Sequence, residues 1–292
     1  MAKTTTVGSN KPKNIATRVF VTIFIVALTI FMLIPFVWMV SSSFKLERDV
    51  MATPFKLFPN YWYTDNYSRV LNLGYFKSYT NYHFMLSYWN SIKVAVSATL
   101  VAVVSSTLAG YAFGKMRFRG QNVLFMLYLS QMMIPSQLTL IPRFIIFNQV
   151  GLFNTHWAVI LPKIVAVSSC FMMRQAFMGA PEELRESAKI DGASEFRTFT
   201  WIMVPLVKPT IAAIATVQFL GSWNAYQDPL IFLSSWKLWT IPLALDQFAG
   251  IEVTQYNLSM TACALATIPV FIVFLSGQKF FIKGLTVGAV KG

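Results

Sequence analysis

Long apolar stretches alternate with short polar ones along this chain. Six of them reach the roughly 20 residues that a helix needs to cross a hydrocarbon layer about 30 Å thick. They span residues 19–40, 89–113, 123–147, 157–177, 206–233 and 258–281. The fifth is the least regular, because "GSWNAYQDP" interrupts it. None shows the period-two alternation of a membrane barrel strand, so the pattern predicts helices. The first stretch is too long for a cleaved signal peptide, and no small-x-small site follows "FVWMVSSSFK". It reads as a retained helix behind a polar tail, residues 1–18. The segment 43–88 is the one sizeable polar connection.

Composition agrees with the pattern. Of 292 residues, 55% are hydrophobic and only 12% charged. A soluble domain has about 45–50% apolar and about 25% charged residues. The expectation is an all-α polytopic membrane protein with about six transmembrane helices, forming one domain over residues 19–283.

The net charge of +13 matters through its placement. With the N-terminus in the cytoplasm, Lys3, Lys11, Lys13, Arg18, Lys115, Arg117, Arg119, Arg174, Arg185, Lys189, Arg197, Lys208, Lys279, Lys283 and Lys291 fall on or near the inner side. These are fifteen of the 24 basic residues. Cytoplasmic loops carry the Lys/Arg excess, so both termini and segment 180–204 are expected inside, and loop 43–88 outside. No nucleic-acid partner is needed to explain the charge.

Catalytic patterns are missing. "GYAFGKM" at 110–116 has the wrong spacing for a phosphate loop and lacks the hydroxyl that would hold magnesium. It reads better as helix packing through Gly110 and Gly114. Cys170 and Cys263 sit in apolar spans without metal-ligand spacing, and His83 and His156 stand alone in loops, so no metal site is expected. Asp228 is the main carboxylate within a span, near its outer end. Proton- and sodium-coupled transporters carry more such groups, so the chain shows no energy source of its own.

The polar segment "PEELRESAKIDGASEFR" contrasts with its surroundings, carrying eight charges between Glu182 and Arg197. Pro181, Glu182 and Glu183 suit a helix start, and Asp191–Gly192 suits its end. Ser194 suits the cap of a second helix from Glu195. Leu184 and Ala188 share one face. Such a helix–turn–helix is either a solvated connector or a knob presented to another protein.

"ESAKIDGASEFRTFTWIMVP" resembles the EAA loop of ABC importer permeases. Glu186, Ser187, Ala188 and Gly192 fill the first part of that pattern, and Ile202, Met203, Val204 and Pro205 the second. Ser187 stands where the family has alanine, and Val204 where it has leucine. "GYAFGKMRFRGQNVLF", "MMIPSQLTLIPRFIIFNQVGLFNTHWAVILP", "FLGSWNAYQDPLIFL" and "FIKGLTVGAVKG" resemble maltose-type carbohydrate permeases; loop 45–88 carries little resemblance.

The resemblance implies the type I importer permease fold and a bacterial cytoplasmic membrane location. It also implies ATPase coupling through Leu184, Glu186, Ser187, Ala188, Asp191 and Gly192. The expected partners are a second, homologous permease, two ATPase subunits, an extracellular or periplasmic solute-binding protein and a carbohydrate, an oligosaccharide. ATP and magnesium would sit on the ATPases, with no cofactor on this chain. The family's C-terminal ending reaches between the ATPases, which assigns residues 284–292, with Gly284, Gly288 and Lys291, to that contact. The glycines themselves argue against a stable helix there.

For the substrate pathway, the polar and aromatic groups at membrane depth are Gln131, Gln218, Trp223, Asn224, Tyr226 and Gln227. Aromatic faces and amides suit sugar rings and hydroxyls, but the same groups also serve helix–helix hydrogen bonding. The aromatic-rich loop 43–88 is either an interfacial anchor or a docking surface for the binding protein. The reading is thus a non-catalytic permease subunit of a carbohydrate importer. The alternatives are a permease for another solute and a membrane-embedded enzyme.

Overall fold

The computed structural model describes residues 15–72, 84–248 and 255–289. Lys291, His83 and residues 1–14 lie outside them. All regular structure among the described residues is helical. Helix α1 spans Ile15–Ser42, α2 Asp65–Asn72, α3 Phe84–Lys115, α4 Gln121–Ser130, α5 Leu140–Gln149 and α6 Val167–Gly179. The polar segment forms α7 (Glu183–Ile190) and α8 (Glu195–Thr198). Then follow α9 (Lys208–Trp223), α10 (Gln227–Phe232), α11 (Ile241–Phe248) and α12 (Tyr256–Ala289).

Helix α3 is the central post. Its buried face carries Ser91, Ala95, Ala98, Ala102, Ser106 and Gly110, three or four residues apart. Small residues at helical spacing let neighbouring backbones approach closely. Helix α6 uses that opening: a Cβ at Gly110 would lie 2.5 Å from Met173 Cβ, and one at Gly114 would lie 3.2 Å from Phe177 Cβ. The packing role expected for these two glycines is what the structure shows. Helix α9 packs on the same post and against α12, where Gly277 leaves room for Thr216. Helix α1 rests on α12 (Phe36 meets Phe271 edge-on at 6.3 Å) and is exposed up to its last turn, where Ser41 and Ser42 are buried.

Among the described residues, four helices are long and apolar enough to cross a membrane alone: Thr17–Ser42, Phe84–Lys115, Trp157–Gly179 and Tyr256–Gln278. A fifth span arises if Glu195–Leu206 and Lys208–Trp223, bent by 78°, count as one. The remaining expected stretch, 123–147, is not a single helix. It folds as α4, a 3-10 turn at Gln131–Met133, an irregular bend and α5. Pro135 explains the break. It disfavours helical geometry at the residue before it, and Ile134 is extended, at φ −87° and ψ 114°. Pro142 falls in the first turn of α5, where a missing N–H costs nothing.

The C-terminal glycines behave differently from expectation. Helix α12 runs on through Gly284 and Gly288 to Ala289. Each glycine costs a helix about 1 kcal/mol relative to alanine. Extending an existing helix adds a hydrogen bond per residue without a new nucleation cost.

Loop 43–88 is tied down by a buried polar knot. Asn66 donates to the carbonyls of Ser43 and Lys45 (2.9 and 2.8 Å), and Asn257 donates to Asn66 Oδ1 (3.0 Å). Thr261 donates to the Ser43 carbonyl (3.1 Å). The end of α1, the start of α12 and α2 are thereby joined at one end of the bundle. Phe84, at the start of α3, lies in the same apolar cluster as Leu258 and Ala262 of α12. The start of α1, the end of α3 and the end of α12 consequently share the opposite end, where Lys115, Arg174 and Arg185 lie.

Candidate functional site: the charged segment at the basic end

Helix α7 ends in a Schellman motif. Gly192 takes φ +76°, a left-handed conformation that glycine adopts without strain. The N–H of Gly192 bonds the Lys189 carbonyl at 3.2 Å, and that of Ala193 bonds the Ala188 carbonyl at 2.9 Å. These are the two bonds that close the motif. The chain then extends at Ser194, whose hydroxyl accepts the Arg197 N–H at 3.3 Å and caps α8. The turn and cap fall where the sequence placed them.

Ionic contacts clamp this helical pair onto the bundle. Lys115, the last residue of α3, donates to Glu182 Oε2 and to the Ala180 carbonyl, both at 2.8 Å. Arg185 donates to Glu182 Oε1 at 2.7 Å and through Nε to Glu195 Oε1 at 3.1 Å. Tyr111 of α3 donates its hydroxyl to the same Glu195 oxygen. Below them Tyr111 packs against Phe177 (5.3 Å) and Phe199 (4.9 Å). Burial alone would raise the Glu182 carboxyl. The bonds from Lys115 and Arg185 outweigh it and hold that group below its ordinary range. The Glu195 bonds, working against burial, raise Arg185 further above its already high value.

The outward surface is mixed. Glu186, Ser187, Asp191 and Gly192 are exposed, as are Leu184, Ile190 (86%), Phe196 (71%) and Trp201. Ala188 is 5% exposed. Of the pair expected to share a contact face, only Leu184 is therefore available. Ile190 and Phe196, exposed on either side of the turn at Gly192, were not singled out from the sequence, because no local pattern marks an apolar residue as exposed. Beyond α8 a π-helical turn, Phe199–Met203, leads to the 78° bend.

The residues expected along a substrate path divide. Trp223 is 2% exposed; its Nε1 donates to the Ala266 carbonyl at 3.1 Å, and Tyr88 meets it edge-on at 5.6 Å. It is a core residue, with its one polar atom satisfied inside the protein. Gln218 donates to Ser169 Oγ at 2.8 Å and so joins α9 to α6. Gln131, Asn224, Tyr226 and Gln227 are exposed, the last three at the break between α9 and α10. Next to that break Asp228 pairs with Arg143 of α5, whose guanidinium also lies 4.8 Å from the Phe232 ring. Arg143 carried no sequence signal, since its partner is 85 residues away.

A family model described as "Binding-protein-dependent transport system inner membrane component" matches residues 106–287, more than half of the chain. The chain belongs to that family. As a permease of this kind it is a non-catalytic, multi-pass membrane subunit. It is 33% identical to the arabinooligosaccharides transport system permease protein AraQ of Bacillus subtilis (strain 168) over 287 residues, covering 97% of this chain and 99% of AraQ. It is 37% identical to the lactose transport system permease protein LacG of Rhizobium radiobacter over 206 residues, 70% of this chain and 75% of LacG. A chain from the crystal structure of a bacterial ABC transporter that imports the acidic polysaccharide alginate superposes with a TM-score of 0.81 at 22% identity. The match covers 93% of the permease and 99% of that chain, and it supports the type I importer fold.

Proposed function

We propose that this permease is one of two homologous membrane subunits of an ATP-driven carbohydrate importer, with an oligosaccharide as cargo. Two ATPase copies bind at the basic end, which faces the cytoplasm, and a solute-binding protein delivers cargo at the opposite end. The observation that carries the reading is the α7–α8 pair. It is clamped to α3 by ionic contacts, yet presents Leu184, Glu186, Ile190 and Phe196 outward. A helix seated in a partner's groove needs such an apolar patch with a polar border. The chain's own sequence has no phosphate loop, so ATP and magnesium belong to the ATPases. The names of its relatives, with cargoes from lactose to arabinooligosaccharides, support a sugar.

Within this reading the clamp makes the α7–α8 pair a lever. Movement imposed by the ATPases reaches α3 through Lys115 and Tyr111, and reaches α9 through the bend at Val207. The end of α12, with Gly284 and Gly288, reaches toward the ATPase interface, and the reading assigns Lys291, outside the described residues, to the same contact. Gln131, Asn224, Tyr226 and Gln227 offer amides and a phenol to sugar hydroxyls, while Gln218 and Trp223 keep the path's walls in register.

The test is co-purification and cross-linking. A cysteine at Ser187 should form a disulfide with a groove cysteine in the ATPase that co-purifies with this permease. Absence of any cross-link across a scan of that groove would contradict the coupling role.

A further inference from the structure

A cavity of about 260 Å³ opens at the basic end between α3, α4 and α6. Lys115, Arg117, Asn122, Arg174 and Glu182 line it. Lys115 and Glu182 neutralise each other, so the charge left over belongs to two guanidinium groups. Arg174 is held in place: its Nε donates to the Phe113 carbonyl at 3.1 Å, and its guanidinium lies 4.3 Å from the Phe125 ring. Its terminal nitrogens make no hydrogen bond among the described residues. Arg117 is exposed and makes none at all among them.

Two further features point the same way. Gly120, the N-cap of α4, is left-handed and supplies no side-chain cap, and no acidic residue stands in that helix's first turn. The Gln121 N–H bonds the Phe118 carbonyl at 3.2 Å, and the helix turns the N–H groups of Asn122 and Val123 and its positive end toward the same region. Away from the cavity, α4 exposes Val123, Leu124, Met126 and Leu127, and Met116, Phe118 and Met178 are exposed nearby. Cationic donors thus sit directly beside an apolar, lipid-facing helix surface.

We infer that this cavity binds the phosphate headgroup of an anionic phospholipid, with its acyl chains lying along α4. Basic pockets between membrane helices at the cytoplasmic side suit such headgroups, and guanidinium groups match phosphate oxygens with paired donors. A zwitterionic lipid would bring a quaternary ammonium next to Arg117 and lose part of that attraction. The leaflet rests on the cytoplasmic assignment of this end; the chemistry of the site does not.

The experiment uses the transporter complex purified through a tag on this chain and reconstituted with a photoactivatable phosphatidylglycerol. Adducts should form within residues 116–127, and unlabelled phosphatidylglycerol should compete far better than phosphatidylcholine. Arg117→Ala removes an exposed side chain with no hydrogen bond or ion pair among the described residues, so folding is preserved. It should weaken phosphatidylglycerol competition about fivefold, from the attraction typical of one arginine near an anionic membrane surface. Equal competition by the two lipids, or an unchanged Arg117→Ala, would overturn the proposal. Displacement by inorganic phosphate would make this a soluble-anion site instead. A cysteine at Asn122 that cross-links to another subunit would make it a subunit contact. Both results contradict a lipid site. None of these readouts involves sugar uptake, so they stand apart from the import reading, and an impermeant thiol reagent on Arg119→Cys reports the leaflet separately.

Discussion

At the scale of single residues, the glycines carry the clearest predictions. Gly110 has no room for a side chain, since even a Cβ would press on Met173. Gly110→Val should cost about 1–3 kcal/mol through overpacking, read as a lower midpoint in thermal unfolding of the detergent-solubilised complex. Gly192→Ala should fold with a strained turn, whereas proline there conflicts outright, because its φ is fixed near −65° and the turn needs +76°. Glu195→Gln keeps the shape of the clamp but removes a charge from Arg185. It should lower transport per ATP hydrolysed several-fold without preventing assembly, and unchanged coupling would remove Glu195 from the lever. The Glu182 carboxyl is held low. Its contribution is therefore complete above the ordinary carboxylate range and is lost as pH falls through the lower folded value. Cross-linking of α7 to α3 should be insensitive to pH near neutrality and should weaken only in acid.

These residues also show what a sequence can and cannot reveal. Gly192 was legible because a left-handed helix end leaves a local signature. Ala188 was misplaced because Leu184 and Ala188 lie only about 40° apart around a helix, and the border of the buried face runs between them. Trp223 read as a pathway residue because a polar atom at membrane depth demands a partner. That partner, the Ala266 carbonyl, belongs to a helix packed alongside, which no local pattern announces.

At the scale of elements, proline decided more than hydropathy did. The stretch 123–147 is mostly apolar, and its division into α4 and α5 follows from Pro135. The 78° bend before α9 falls at Val207, with Pro209 in the first turn of α9, where it has no N–H to continue the hydrogen-bond ladder of the preceding helix. The opposite error occurred at the C-terminus, where glycine spacing suggested an unwound tail and α12 continues to Ala289. A helix extended this far carries the chain's end well beyond the membrane-spanning part, at about 1.5 Å per residue. Deleting residues 286–292 is expected to leave membrane insertion intact and to reduce the coupling of ATP hydrolysis to uptake. Normal coupled transport by the shortened chain would show that its end takes no part.

At the scale of the whole molecule, the fold leaves large apolar surfaces open. Helix α1 leaves nearly all of its apolar surface uncovered, and the break at Asn224–Gln227 faces outward rather than into an internal cavity. A second permease against these surfaces would enclose a path that this chain alone does not. Lys115, Arg117, Arg174 and Arg185 lie together at one end of the bundle, and Lys45, Lys56 and Arg69 lie near the other. An impermeant thiol reagent applied to intact cells should label a cysteine at Thr64 and spare one at Ser194. The most direct measurement of the central claim is ATP-driven uptake of labelled oligosaccharide by vesicles carrying the assembled transporter, comparing wild type with Gly192→Pro. The account predicts that wild type accumulates sugar, while the variant inserts in the membrane but fails to accumulate it. Equal accumulation by both would contradict the coupling role of the α7–α8 turn.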